Sequence, residues 1–74
     1  MADDRIRIEV GFDGGQIMSA LVTPESADAL ERSLAAGSET SITLDAQDGR
    51  YVIRLDRIVY VKRFARDSRV GFAA

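Results

Sequence analysis

The residues with the strongest claim to chemistry lie in the last third of the chain. In an extended segment from Ile58 to Phe64, period-2 spacing places Tyr60, Lys62 and Phe64 on one face. Arg54 lies on the face of the preceding strand that carries Val52, and Arg66 and Arg69 follow. Aromatic rings interleaved with Lys and Arg on a sheet face suit single-stranded nucleic acid, through base stacking and phosphate contacts. They also suit an edge strand whose cations block unwanted pairing.

The groups that carry most catalysis are missing. The chain has no histidine and no cysteine, so the commonest general base, the commonest thiol nucleophile and the soft metal ligands are absent. Ser19, Ser26, Ser33, Ser38 and Ser41 therefore read as turn, cap or strand-face residues. Asp45 and Asp48 flank a turn and lack the alternating oxygen ligands of a calcium loop, so they read as turn formers. Asp13-Gly14-Gly15 matches no phosphate-binding loop. The expectation is a protein that is not an enzyme, with no metal and no cofactor.

Charge is unevenly divided. The formal net charge is −2, but residues 1–49 hold three arginines against ten acids, a net of −7. Residues 50–74 hold seven cations against two acids, a net of +5. Such a split draws opposite ends together, within one molecule or between neighbours, or presents a basic patch to an acidic partner.

The elements that must position these residues follow from alternation and turn chemistry. Residues 5–12 alternate strictly, with Ile6, Ile8, Val10 and Phe12 on one face and Arg5, Arg7 and Glu9 on the other. Asp13-Gly14-Gly15 is a hairpin turn. Residues 16–23 form the return strand. Met18, Ala20 and Val22 share one face, and Ile17, Ser19 and Leu21 the other. Both faces are apolar enough to be covered. Thr23-Pro24-Glu25 starts a helix that runs to about Ala36, with Ala27, Leu30 and Leu34 on its buried stripe and Gly37 as its stop. Strands at 40–45 and 50–55 flank a turn at 46–49. Asp56-Arg57 lacks a residue suited to positive φ, which predicts a bend or bulge before the fifth strand.

The expected fold is therefore α+β, a small single domain of order β-β-α-β-β-(β), with one helix on a curled, mostly antiparallel sheet. Residues 1–4 are expected to be a flexible amino terminus and 5–64 the domain. Residues 65–74 form a tail whose Val70 and Phe72 alternate, suiting an added or exchanged strand.

Asp48-Gly49-Arg50, Ile58-Val59-Tyr60-Val61 and the Arg69-Val70-Gly71-Phe72 run stand in order after Ile8-Glu9-Val10-Gly11 and the Thr23-Pro24 helix start. In this the chain resembles a family of short actinobacterial proteins of unknown function. It departs from that family at Lys62-Arg63-Phe64, where the continuation is more neutral or acidic, and in the first hairpin. The resemblance implies a compact fold in the bacterial cytoplasm and no particular activity.

A chain of 74 residues buries only ~60% of the surface exposed when unfolded, and without cysteine it has no disulfide to compensate. Oligomerisation is the remaining common device. The leading expectation is a cytoplasmic protein-binding or self-assembly module, homo-oligomeric, that associates through Met18, Ala20, Val22, Val70 and Phe72. A second protein is a further partner class, and no membrane is expected. The alternative is RNA or single-stranded DNA binding through Arg54, Tyr60, Lys62, Phe64, Arg66 and Arg69.

Overall fold

The structure, a computed structural model, describes residues 4–65. The sequence expectations for Arg66, Arg69, Val70 and Phe72 lie outside the described residues. Strand β1 (Ile6–Phe12) and strand β2 (Ile17–Val22) form the first hairpin, and helix α1 (Pro24–Ala36) follows. Strands β3 (Ser41–Ala46) and β4 (Gly49–Arg54) form the second hairpin. A three-residue 3-10 turn (Leu55–Arg57) leads into β5 (Ile58–Arg63). All five strands belong to one antiparallel sheet of order β4-β3-β2-β1-β5. This is the α+β fold that alternation and turn chemistry predict.

Local chemistry explains each boundary. Gly15 takes φ 89° in the first turn, and Gly49, at φ 137°, closes a two-residue turn over Gln47 and Asp48. The Oγ1 of Thr23 accepts the Ser26 N–H at 3.1 Å, Pro24 occupies the first helical turn, and Gly37 ends α1 at φ 71°. The bend expected at Asp56-Arg57 is the 3-10 turn. A bulge accompanies it, since Gly11 faces Tyr60 while Phe12 faces Ile58, leaving Val59 as the extra residue.

The strand order forces the sheet to curl. Strands β4 and β5 are its two edges, which would lie ~19 Å apart in a flat sheet. The four steps from Arg54 to Ile58 span at most ~14 Å. Backbone hydrogen bonds pin the connecting turn at both ends, Asp13 N–H to the Arg57 carbonyl (2.9 Å) and Leu55 N–H to the Thr40 carbonyl (2.8 Å). Curling lets one helix cover the concave face. Ile8, Val10, Val22, Leu30 and Leu44 are sealed there, with Ala27, Ala46, Ile53 and Leu55 around them.

One expected surface is corrected by this arrangement. Met18, Ala20 and Val22 belong to the core side of β2: Val22 is fully buried, and Met18 and Ala20 pack against the core. They point the same way as Ile8 and Val10, their neighbours across the hairpin, so the helix side claims them. The face of β2 left to solvent carries Ile17, Ser19 and Leu21. Among the described residues, no helix is long and apolar enough to cross a membrane.

Candidate functional site

The convex face of β5, β1 and β2 is a three-by-three grid fixed by register. Glu9 lies between Lys62 and Ser19, and Gly11 between Tyr60 and Ile17. Arg7 lies opposite Leu21, and its carbonyl accepts the Phe64 N–H at 3.0 Å, which completes the third row. Tyr60, Lys62 and Phe64 thus share one face, as their spacing predicts. The corners are Tyr60, Phe64, Ile17 and Leu21, and the charges sit between them. Ile17, Leu21 and Tyr60 are 62%, 40% and 41% exposed.

Both rings are held by their neighbours. The Tyr60 ring lies against the Cα of Gly11, so close that a Cβ there would overlap Cε2, Cδ2 and Cζ. Its hydroxyl donates to Glu9 Oε2 at 2.5 Å. That bond to a carboxylate, then the loss of hydration and the nearby negative charge, raise the Tyr60 pKa above the ordinary 10.0. The Phe64 ring carries two cations, Arg7 Cζ at 4.7 Å and Lys62 Nζ at 4.5 Å from its centroid.

Arg54 is not part of this grid. It lies on the opposite edge strand and donates to Asp56 at 3.1 Å. Two cations of the basic third, Arg63 and Arg57, pair with acids of the acidic half of the same chain. Arg63, on the concave side of β5, reaches α1 and contacts Asp28 at 2.8 Å and Glu31 at 3.2 Å. The bond to Asp28 raises its already high pKa. Arg57 contacts Asp13 at 3.1 Å.

Of the two acids read as turn formers, Asp48 lies in the turn between β3 and β4, whereas Asp45 lies within β3. Asp48 accepts the Tyr51 hydroxyl at 2.8 Å, which raises the Tyr51 pKa, and Asp45 pairs with Arg5 at 3.4 Å. Among the described residues, no three His, Cys, Asp or Glu side chains gather in one place.

Beside the grid the sheet is split. Among the described residues, β2 meets β3 at one pair, Val22 with Ala46, flanked by bonds from Thr23 N–H to the Asp45 carbonyl (3.1 Å) and Gln47 N–H to the Leu21 carbonyl (2.8 Å). Past that pair β3 gives way to its turn with β4, and β2 runs on without a described strand on that side. A groove of about 430 Å³ opens there, lined by Arg7, Ser19, Ala20, Leu21, Gln47 and Asp48.

Sequence alternation already separates Arg7 and Glu9 from the core face of β1, and Ile17 and Leu21 from that of β2. Their membership in one surface with Tyr60 and Phe64 comes from the pairing of β1 with β5, which residue spacing alone does not specify. Searches against protein-family models, curated proteins and solved structures find no match.

Proposed function

We propose that this protein is a non-enzymatic protein-binding module that associates with copies of itself, using the convex face of β2, β1 and β5. The observation that carries this reading is the exposure of Ile17, Leu21 and Tyr60 on the face that α1 leaves uncovered. Apolar corners around a centre of mixed charge favour a protein surface, which buries the corners and answers both signs of charge. The absence of histidine and cysteine from the sequence supports a non-enzymatic role. Mass by sedimentation velocity across a concentration series tests it. Leu21→Lys should shift the chain toward monomer while leaving its circular dichroism intact. A chain that is monomeric at every concentration overturns self-association.

Binding of single-stranded nucleic acid is the second reading. It is favoured by the Tyr60 ring, seated on Gly11 with Lys62 two residues along on the same face. Against it stands Glu9, whose carboxylate lies in the middle of the grid and would repel phosphate. Fluorescence anisotropy with labelled oligouridylate at two salt concentrations separates the readings. Binding lost on Tyr60→Ala and weakened by salt would favour nucleic acid.

A further inference from the structure

We infer that the open edge of β2 accepts residues 69–72 of a second copy as an added strand. The inference rests on the self-association reading and names the segment that would carry it.

Hydrogen-bond phase shows which way the β2 backbone faces. The Phe12 N–H donates to the Gln16 carbonyl at 2.9 Å, so bonding pairs recur at Val10 with Met18 and Ile8 with Ala20. The peptide groups of Ile17, Ser19 and Leu21 therefore point away from β1. The Leu21 carbonyl is met by Gln47, but among the described residues no strand pairs with β2 below Val22. The N–H and carbonyl of Ser19 and the N–H of Leu21, two residues that line the groove, lie on this edge.

The sheet's other edges are protected. Strand β5 carries Lys62, Arg63 and the bulge at Val59, and β4 carries Arg50 and Arg54. Charges and bulges of this kind deter strand addition. The edge of β2, Ile17-Met18-Ser19-Ala20-Leu21, has no charge, proline, glycine or bulge. Strand β3 also lacks a β2 partner before Ala46, but α1 lies against it, whereas this stretch of β2 borders an open groove.

The occupant is drawn from the nine residues after Ala65. Arg69-Val70-Gly71-Phe72 places two apolar side chains on one side of an extended segment. Paired to β2 on the convex side, Val70 and Phe72 would extend the apolar surface of Ile17 and Leu21. Arg69 would enter beside Asp48, which borders the groove. Reach favours a second copy over the same chain. A path from Phe64 to a strand beside Ser19 crosses three strand spacings and one two-residue step, ~16 Å in a straight line. The five steps to Arg69 extend to ~17 Å, leaving no slack to clear the side chains of Arg7 and Leu21.

The test uses the full chain, a deletion of residues 69–74 and Ser19→Pro. The proline removes an edge N–H while leaving the hairpin bonds, which run through Met18 and Ala20. Sedimentation velocity gives the mass, and amide hydrogen exchange reads Ile17, Ser19 and Leu21. The full chain should be at least dimeric with these amides protected. Both variants should move to monomer; Ile17 should exchange at least ~10-fold faster in both, and Ser19 in the deletion, since Ser19→Pro leaves no amide at that position. A synthetic peptide of residues 69–74, added to the deletion variant, should restore protection, which keeps the inference testable should Ser19→Pro not fold. Unchanged mass and protection after the deletion overturn it. So does a monomeric full chain whose protection depends on 69–74, since the segment then docks on its own chain. If the deletion variant still associates and Tyr60→Ser separates it, the convex-face reading stands and strand exchange fails.

Discussion

The ring of Tyr60 lies against the Cα of Gly11, its cross-strand partner, and leaves no room for a Cβ. The glycine is needed here for space: β1 continues extended through it, and the ring supplies the packing its missing side chain cannot. Gly11→Ala should therefore push the ring off the sheet and cost ~1–3 kcal/mol, as overpacking does. Removing the ring as well, with Tyr60→Ser, should recover part of that loss, because the two positions are in contact and their effects do not add. Urea unfolding of both single variants and the double variant measures the coupling. Simple additivity would mean that the ring contact does not govern stability.

The hydroxyl of the same tyrosine makes stability depend on alkaline pH. Its folded pKa is raised by the bond to Glu9, so the neutral phenol is the form the fold favours. The associated stability is present below the unfolded value of 10.0 and is lost as pH rises through the higher folded value. Tyr51, bonded to Asp48, has the same sign. Phenolate absorbance should show the folded protein titrating above an unfolded control. Tyr60→Phe should flatten the alkaline fall in the thermal midpoint. An unaltered fall would mean that Glu9 and Tyr60 are not coupled in solution.

Elements were legible in the sequence wherever one residue type decides a local conformation. Thr23-Pro24 and Gly37 bound α1, and the strict alternation of Ile6, Ile8, Val10 and Phe12 orients β1. The inward face of β2 was harder to assign. Its two faces differ little in hydropathy, so Met18, Ala20 and Val22 read as readily as an interface as they do as core. Pairing across the hairpin with Ile8 and Val10 resolves this, and the pairing is a long-range property. Arg54 reads as a companion of the β5 residues for a similar reason: nearness in sequence conceals that β4 and β5 form opposite edges. Charge asymmetry was legible, and within this chain part of it is satisfied by Arg63 and Arg57.

Those ion pairs should matter little to stability. Arg63 holds two acids of α1, but its side chain is 36% exposed and the partners are more so. Exposed pairs contribute ~0–1 kcal/mol and fade with salt. Arg63→Met, which keeps most of the apolar stem, should lower stability by less than ~1 kcal/mol, and the difference should shrink at high ionic strength. Denaturation at two salt concentrations checks this. A large, salt-independent loss would assign the arginine a packing role that its exposure does not suggest.

The heaviest single contribution from α1 should come from Leu30. The helix docks on the sheet through one stripe, and of its members Ala27 and Leu30 are buried while Leu34 is half-buried at the rim. Leu30 is 0% exposed and packs among Ile8, Val10, Val22 and Leu44, side chains from three different strands. Truncation to alanine removes its apolar contacts and leaves a cavity that those neighbours, held by sheet pairing, close only in part. The expected cost is ~2–5 kcal/mol, against a total of ~5 kcal/mol for a domain near the lower limit of size. Leu34→Ala should cost less, because solvent already reaches that end of the stripe. Val52→Ala, at a position 72% exposed on the convex side, should stay within ~0.5 kcal/mol in a monomeric sample. The ranking Leu30, Leu34, Val52 is the outcome to check by urea unfolding at low protein concentration. A loss at Leu30 below about 1 kcal/mol would detach the helix from the core and remove the physical basis for a one-helix, curled-sheet fold.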